Sequence, residues 1–414
     1  MRRSLRAFVA TSTVAAVAFG SLLAASSAQA ANGTIVIWTD ADRAPAVRAL
    51  FPQGYKGTPV QVVVKEFGNI RDDLGKVTES AAPDVVMGAN DWVGELSANG
   101  SIVKINLASK AKSALEAGAI QAFNYNGTQY GVPVAVENIA LITNSSLIKT
   151  QPKTFAQLSS QALALKKAGK VTIPLAVQQG AGGDAYHMYP LFSGLGGYIF
   201  GTTPTGRYNT RNIGIANKRF VGNSGLINQW NKSGLINSKV TGDIAKDAFL
   251  KGQAPFWITG PWNLSDLLDK TKTNVKFRIT AVPPIVSGLK PVPFVGSQGV
   301  MLTKYAAAHG VESAARSLVS EYMATEKAQY QLSALNDRYP ANKAAAARVT
   351  NRPLKAFGLA GVGGIPIPNI PQMNSVWGPL GSAWVNSTKG KGATPAARSF
   401  AQAQVAVRRA VAAG

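Results

Sequence analysis

Hydrophobic residues fall in short blocks whose spacing switches between two periods. TIVIWTD at 34–40 is an unbroken β-branched and aromatic run, the pattern of a strand buried on both faces. ADRAPAVRALF then carries apolar residues at helical spacing. PVQVVVKEF and IRDDLGKVTES repeat the alternation, and PDVVMGAND runs into WVGELSANG, a third helix closed by Gly100. Strand–helix alternation predicts a parallel sheet with helices on its faces.

Near residue 130 the pattern changes. YGVPVAVENIALITN reads as two extended pieces joined around Val136–Glu137. TFAQLSSQALALKKAGK reads as a long amphipathic helix with Thr154 at its N-cap, and VTIPLAV as another buried strand. A second sheet with its own helices is expected over roughly 138–290. PVPFVGSQGVMLT resumes strand character, and a helix-rich tail follows: VESAARSLVSEYMA, TEKAQYQLSAL, ANKAAAARV and TPAARSFAQAQVAVRRAVAA. PNIPQMNSVWGPLGSAW, before the last of these, sets Trp377 beside Gly378 and Pro379, where an ordinary core helix avoids proline. Two α/β units without a flexible linker imply facing lobes, with a ligand at the carboxyl ends of the strands.

The first thirty residues stand apart. Arg2, Arg3 and Arg6 precede an apolar stretch and a small-residue end at Ala28 and Ala30, the pattern of an export leader cleaved near Ala30. No other apolar run is long enough to span a bilayer. The chain has no cysteine, which excludes disulfides, thiol catalysis and a lipid on a cysteine at the cleavage site. A soluble exported protein is expected, in a periplasm or at the extracellular face of the membrane.

The net charge is +23, and Lys and Arg recur along the whole sequence rather than in one block. That argues against a nucleic-acid partner and for scattered surface charge suited to an anionic setting. The two histidines, His187 and His309, lack metal-ligand spacing, and no zinc-protease, nucleophile-elbow or P-loop motif occurs. No metal and no cofactor are expected.

A polar and aromatic set stands at predicted strand ends instead. Asp42 and Arg43 follow the first strand, and Asp91 and Trp92 the third. Glu137 sits at the first crossing, and Asp184, Tyr186 and His187 follow a glycine-rich turn. Trp262 lies in ITGPWNLSD, and Trp377 near the chain's end. Each alone has a plainer role: Asp42 and Asp91 as helix caps, Trp92 and Trp262 as packing, His187 as a surface residue. Together they supply hydrogen-bonding groups for vicinal hydroxyls and indole faces for pyranose rings, the chemistry a neutral sugar requires. The same acids and tryptophans leave open a secreted glycoside hydrolase acting on α-glucans. That reading needs two carboxylates flanking one glycosidic bond.

These segments carry a resemblance. VIWTDADR, PDVVMGANDWVGELSANGSI, YNGTQYGVPVAVENIALITNSSLI, YPLFSGLGGYIF, AFLKGQAPFWITGPW and PNIPQMNSVW are similar to the extracellular solute-binding proteins of ABC sugar importers. PNIPQM followed by an aromatic helix start resembles the maltose/maltodextrin-binding branch in particular. The resemblance covers nearly the whole chain after residue 30. It implies a two-lobed, periplasmic-binding-protein-like fold of type II, each lobe a mixed sheet flanked by helices, with the ligand in the interlobe cleft. The lobes would be 31–136 plus 291–337 and 137–290 plus 338–414, after a leader at 1–30. It implies binding of maltose or maltodextrins, or of another oligosaccharide, by a monomer without catalysis. Delivery would be to membrane permease subunits, by closure about hinges near Val136–Glu137, 288–293 and 335–341.

By the same resemblance, Asp42, Arg43, Asp91, Glu137, Asp184 and Tyr186 match polar cleft residues, and Arg71 with Asp72 a pair at the cleft edge. Trp262 and Trp377 match tryptophans that stack on glucose. His187 replaces an aromatic, Trp92 a basic residue and Leu264 a tryptophan. Gly88, Gly378 and Gly381 stand where an aromatic, a tyrosine and an arginine are expected. These departures predict a roomier or shifted pocket, with Trp92 offering a stacking face from a new direction.

Overall fold

The computed structural model describes residues 33–203 and 207–413, so the leader expected at 1–30 lies outside the described residues. Eleven strands build two mixed sheets. They are β1 (Ile35–Thr39), β2 (Val60–Val64), β3 (Val85–Ala89), β4 (Gly131–Asn138), β5 (Ala140–Asn144) and β6 (Ala176–Val177). β7 (Phe256–Thr259), β8 (Phe277–Thr280), β9 (Phe294–Leu302), β10 (Tyr339–Pro340) and β11 (Ile365–Pro366) complete them.

The seven-stranded sheet has the order β10-β4-β9-β3-β1-β2, with β11 also pairing β9. β1 runs parallel to β2 and β3, as the strand–helix alternation predicts, with Ile37 opposite Val85. The long strand β9 then enters antiparallel between β3 and β4 and makes the sheet mixed. Buried aliphatic and aromatic residues pack on both of its faces. The four-stranded sheet has the order β8-β5-β7-β6 and is likewise covered on both faces.

Helices flanking the sheets include α1 (Ala44–Leu50), α2 (Phe67–Leu74), α3 (Val93–Ala98), α4 (Phe155–Lys167), α5 (Lys218–Asn223), α6 (Gly225–Ser233), α7 (Asn374–Thr388) and α8 (Ala396–Ala413). Thr154 caps α4 as its sequence predicts, the hydroxyl accepting from Gln157 N at 3.2 Å.

Three local expectations are corrected. The chain does not break at Val136–Glu137. Both residues are paired in β4, opposite Ser297 and Gly296, and Ile139 alone separates β4 from β5. VTIPLAV yields only the two-residue β6, because Pro174 has no N–H for a ladder and Thr172 and Ile173 bond the Gln253 carbonyl instead. Pro379 lies inside α7, a continuous fifteen-residue helix, although an ordinary core helix avoids proline.

Candidate functional site

One cavity of about 610 Å³ opens where the two sheets face each other. All ten residues expected to bind ligand line it: Asp42, Arg43, Asp91, Trp92, Glu137, Asp184, Tyr186, His187, Trp262 and Trp377. Asp42 and Arg43 follow the carboxyl end of β1, Asp91 and Trp92 that of β3, and Glu137 lies near that of β4. In open α/β sheets ligands bind in the crevice outside the carboxyl ends of the strands.

Glu137 is the most constrained group. It is buried, its Oε1 accepts from Gln298 Nε2 at 2.7 Å, and its Oε2 lies 3.3 Å from Arg338 Nε. Arg43 Nη2 stands 3.8 Å from the same carboxylate and is itself tied to Asp40. Burial, with the neighbouring Arg43 charge, pulls Arg338 below its ordinary value. Asp42 is different: its side chain is 65 % exposed, 3.8 Å from Arg338 Nη2, at the rim. The buried acid beside Arg43 is Asp40, and sequence reading picked its neighbour.

Asp91 is deeply buried, and burial raises its carboxyl above the ordinary range; the Trp377 hydrogen bond and the Arg71 charge oppose this. Trp377 Nε1 donates to Asp91 Oδ2 at 3.0 Å, across the cavity from α7 to the turn after β3. The PNIPQM segment makes this contact reachable. Asn369 Nδ2 donates to the carbonyls of Ala122 and Asn124 at 3.0 and 2.8 Å, and Asn90 Nδ2 to that of Ile367 at 2.9 Å. Gly94 of α3 permits the approach, since a Cβ there would meet Asn369 O at 2.6 Å.

On the facing wall, Asp184 accepts from Gln178 Nε2 at 2.7 Å and His187 N at 2.8 Å, with His187 Nδ1 2.9 Å from Oδ2. Burial works to raise the Asp184 carboxyl, but the His187 charge and these hydrogen bonds outweigh it and hold the group below its ordinary 3.8. Burial, then Glu137, Asp184 and Asp91, push the Tyr186 hydroxyl well up, so it stays a neutral donor. Trp262 packs 5.6 Å from His187 and 6.3 Å from Tyr186.

Two of the expected openings are filled. The Trp92 ring occupies the place a side chain at Gly88 would take, and it packs 5.0 Å from Phe67. Gly381 makes no room either: a Cβ there would stand 2.7 Å from Gly182 O, so the helix lies against the glycine-rich turn before Asp184. Gly378 does face open space. Leu264 is fully buried in the core and away from the cavity.

Four lining polar atoms are buried without a partner in the protein: Arg43 Nε, Tyr186 Oη, His187 Nε2 and Gln298 Oε1. Unpaired buried polar atoms are costly, so their gathering in one cavity suits a polar ligand. Sequence reading missed Phe67, Gln178, Gln298 and Arg338; Arg71 lines the edge, while Asp72, its partner at 2.8 Å, does not. Among the described residues no cluster of His, Asp and Glu is placed to hold a metal, and no helix is long and apolar enough to cross a membrane.

The sequence matches the family of bacterial extracellular solute-binding proteins over residues 46–356. It is 30 % identical over 330 residues to a maltodextrin-binding protein of Bacillus subtilis, covering 76 % of this chain and 74 % of that one. It is 26 % identical over 370 residues to a galactooligosaccharide-binding protein of the same organism, 86 % and 85 % of the two chains. A maltotriose-binding protein of Pyrococcus abyssi is 23 % identical over 374 residues, 85 % and 76 % of the chains. The chain belongs to the bacterial extracellular solute-binding family.

Proposed function

We propose that this solute-binding protein is the sugar-binding component of an ABC importer, taking maltose or maltodextrins outside the membrane and passing them to permease subunits by lobe closure. The observation that carries this reading is the make-up of the cavity. Indole rings at 92, 262 and 377 line it together with buried polar atoms that lack protein partners. Pyranose rings have weakly apolar faces and polar rims, so indoles take the faces and Arg43, Tyr186, His187 and Gln298 take the hydroxyls. A volume of about 610 Å³ falls within the range of about 300–1,000 Å³ usual for small-ligand sites. The names of the maltodextrin- and maltotriose-binding relatives support an α-glucan.

The lobes would divide as 31–136 plus 291–337 and 137–290 plus 338–414. The proposed ligand contacts are Arg43, Asp91, Trp92, Glu137, Asp184, Tyr186, His187, Trp262 and Trp377, with Asp42 at the rim. No covalent chemistry belongs to this reading. Glu137 is engaged by Arg338 and Gln298, and Asp184 by His187 and Gln178, so both carboxyl groups are held in fixed orientations toward ligand hydroxyls.

Calorimetric titration with linear maltodextrins, cyclic dextrins and galactooligosaccharides tests the proposal. Heat with the linear glucans, and weaker or no heat with the galactosides, is expected. Saturable binding to galactosides alone would move the ligand to the specificity named for the other Bacillus relative. Release of shorter sugars from maltotetraose would overturn the non-enzymatic reading.

A further inference from the structure

Acids are divided far less evenly than bases. Residues 33–137 carry nine Lys and Arg against eleven Asp and Glu. Residues 138–242 carry eleven Lys and Arg against one acid, and residues 338–414 carry ten and no acid at all. The single acid, Asp184, faces the cavity and is occupied by His187. The bases are spread along the sequence as expected, and it is the uneven acids that leave these segments strongly cationic.

Parts of the two cationic segments pack against each other. α8 packs along α7 and against α6 and the strand Tyr208–Ile213. Gly390 and Asn231 exchange two hydrogen bonds of 3.2 and 2.8 Å, and Ala396 N donates to Asn228 Oδ1 at 2.9 Å, so the α7–α8 connection is bound to α6. Ala216 N donates to Gln404 Oε1 at 2.9 Å, which fastens the start of α5 to α8. On this surface Lys218, Arg219, Lys232, Lys389, Arg408 and Arg409 are exposed. Among the described residues none of the six has a carboxylate at ion-pair distance. None lines the cavity.

We propose that this face is a docking surface for an anionic lipid bilayer, held by the charge of phosphate head groups rather than by insertion. Lysine and arginine without internal partners keep their full attraction for phosphates. A second copy of the chain is a poorer fit, since the opposite body carries only a slight excess of acid. The bilayer is chosen over other polyanions because an importer component works beside a membrane; that choice rests on the function proposed above. Docking there leaves the cavity free, and a protein confined to the surface meets its permease in two dimensions.

Vesicle co-sedimentation of the exported chain tests this. Binding to vesicles of phosphatidylglycerol and phosphatidylcholine is expected to rise with the anionic fraction and to fall at least tenfold from 50 to 300 mM NaCl. The fourfold variant K232E/K389E/R408E/R409E is expected to lose binding at least tenfold. K76E/K104E/K110E/K112E, on exposed positions of the other body, should keep it. Equal loss in both variants, no adsorption to anionic vesicles, or binding to soluble poly(glycerol phosphate) but not to vesicles would overturn the proposal. Sugar titration of the same variants separates the two readings: unchanged heat with lost vesicle binding isolates the surface, whereas absent heat in the wild type concerns the cavity alone.

Discussion

Gly88 and Trp92 form one packing unit, because the indole fills the space beside the glycine Cα. Gly88→Ala therefore forces a buried ring to move and is expected to cost about 1–3 kcal/mol and to weaken sugar binding. An unchanged melting temperature and affinity would show the ring to be loosely held. Trp262→Ala and Trp377→Ala are each expected to weaken binding at least tenfold in calorimetry without unfolding the protein, since stacked aromatics commonly dominate a site. Wild-type affinity in both would move the site elsewhere. Asp184 gives a pH test. Its folded carboxyl lies below the ordinary value, so its pairing stabilises the fold above the unfolded value and is lost as pH falls through the folded one. Asp184→Asn should lower the melting temperature at pH 7 and flatten its decline below about pH 4; parallel curves would refute the assignment. The sequence revealed the indoles and carboxylates because they stand at strand ends in turn-like settings. It hid Arg338 and Gln298, which reach Glu137 only through the pairing of distant strands. It also favoured exposed Asp42 over buried Asp40, two residues apart, because burial is settled by tertiary packing.

At the level of elements, α7 carries three helix-weakening residues within four positions, and only one is placed by a close contact. Gly378 faces open space but precedes Pro379, whose ring crowds a Cβ on the preceding helical residue, so Gly378→Ala is expected to change stability by less than about 1 kcal/mol. Gly381 lies against Gly182, so Gly381→Ala should destabilise it by about 1–3 kcal/mol. Chemical denaturation of the two variants checks both; a loss in Gly381→Ala no larger than in Gly378→Ala would refute the close approach. Pro379 is tolerated in the helix interior although it removes one donor there. Long periodic segments such as α4 and α8 were legible because their apolar positions recur over several turns. The apolar run at 171–177 was not, since a short run reads alike in a strand and in a buried loop, and Pro174 and the bonds to Gln253 decided it. Nor was the end of β4, where β9 pairs past the expected break.

For the whole molecule, the connections between the sheets bear on movement. β4 passes to β5 through Ile139, residues 281–293 join β8 to β9, and Arg338 stands immediately before β10. Arg338 binds Glu137, near the end of β4, and its Nη1 donates to Asn336 O at 2.7 Å. One ion pair thus ties two of the places where chain and cavity meet. Both partners are about 95 % buried, so breaking the pair strands a charge, a cost of several kcal/mol. If closure of the lobes accompanies sugar binding, as proposed here, ligand selects the arrangement in which both walls contact it. Saturating maltodextrin is then expected to lower the radius of gyration in small-angle scattering. Arg338→Met should reduce both that contraction and the affinity, because Glu137 loses its nearest cation and one wall loses its fixed geometry. A wild-type radius unchanged by sugar that calorimetry shows to be bound would remove closure from the mechanism. A full contraction in Arg338→Met would leave closure standing and confine Arg338 to stabilising the fold.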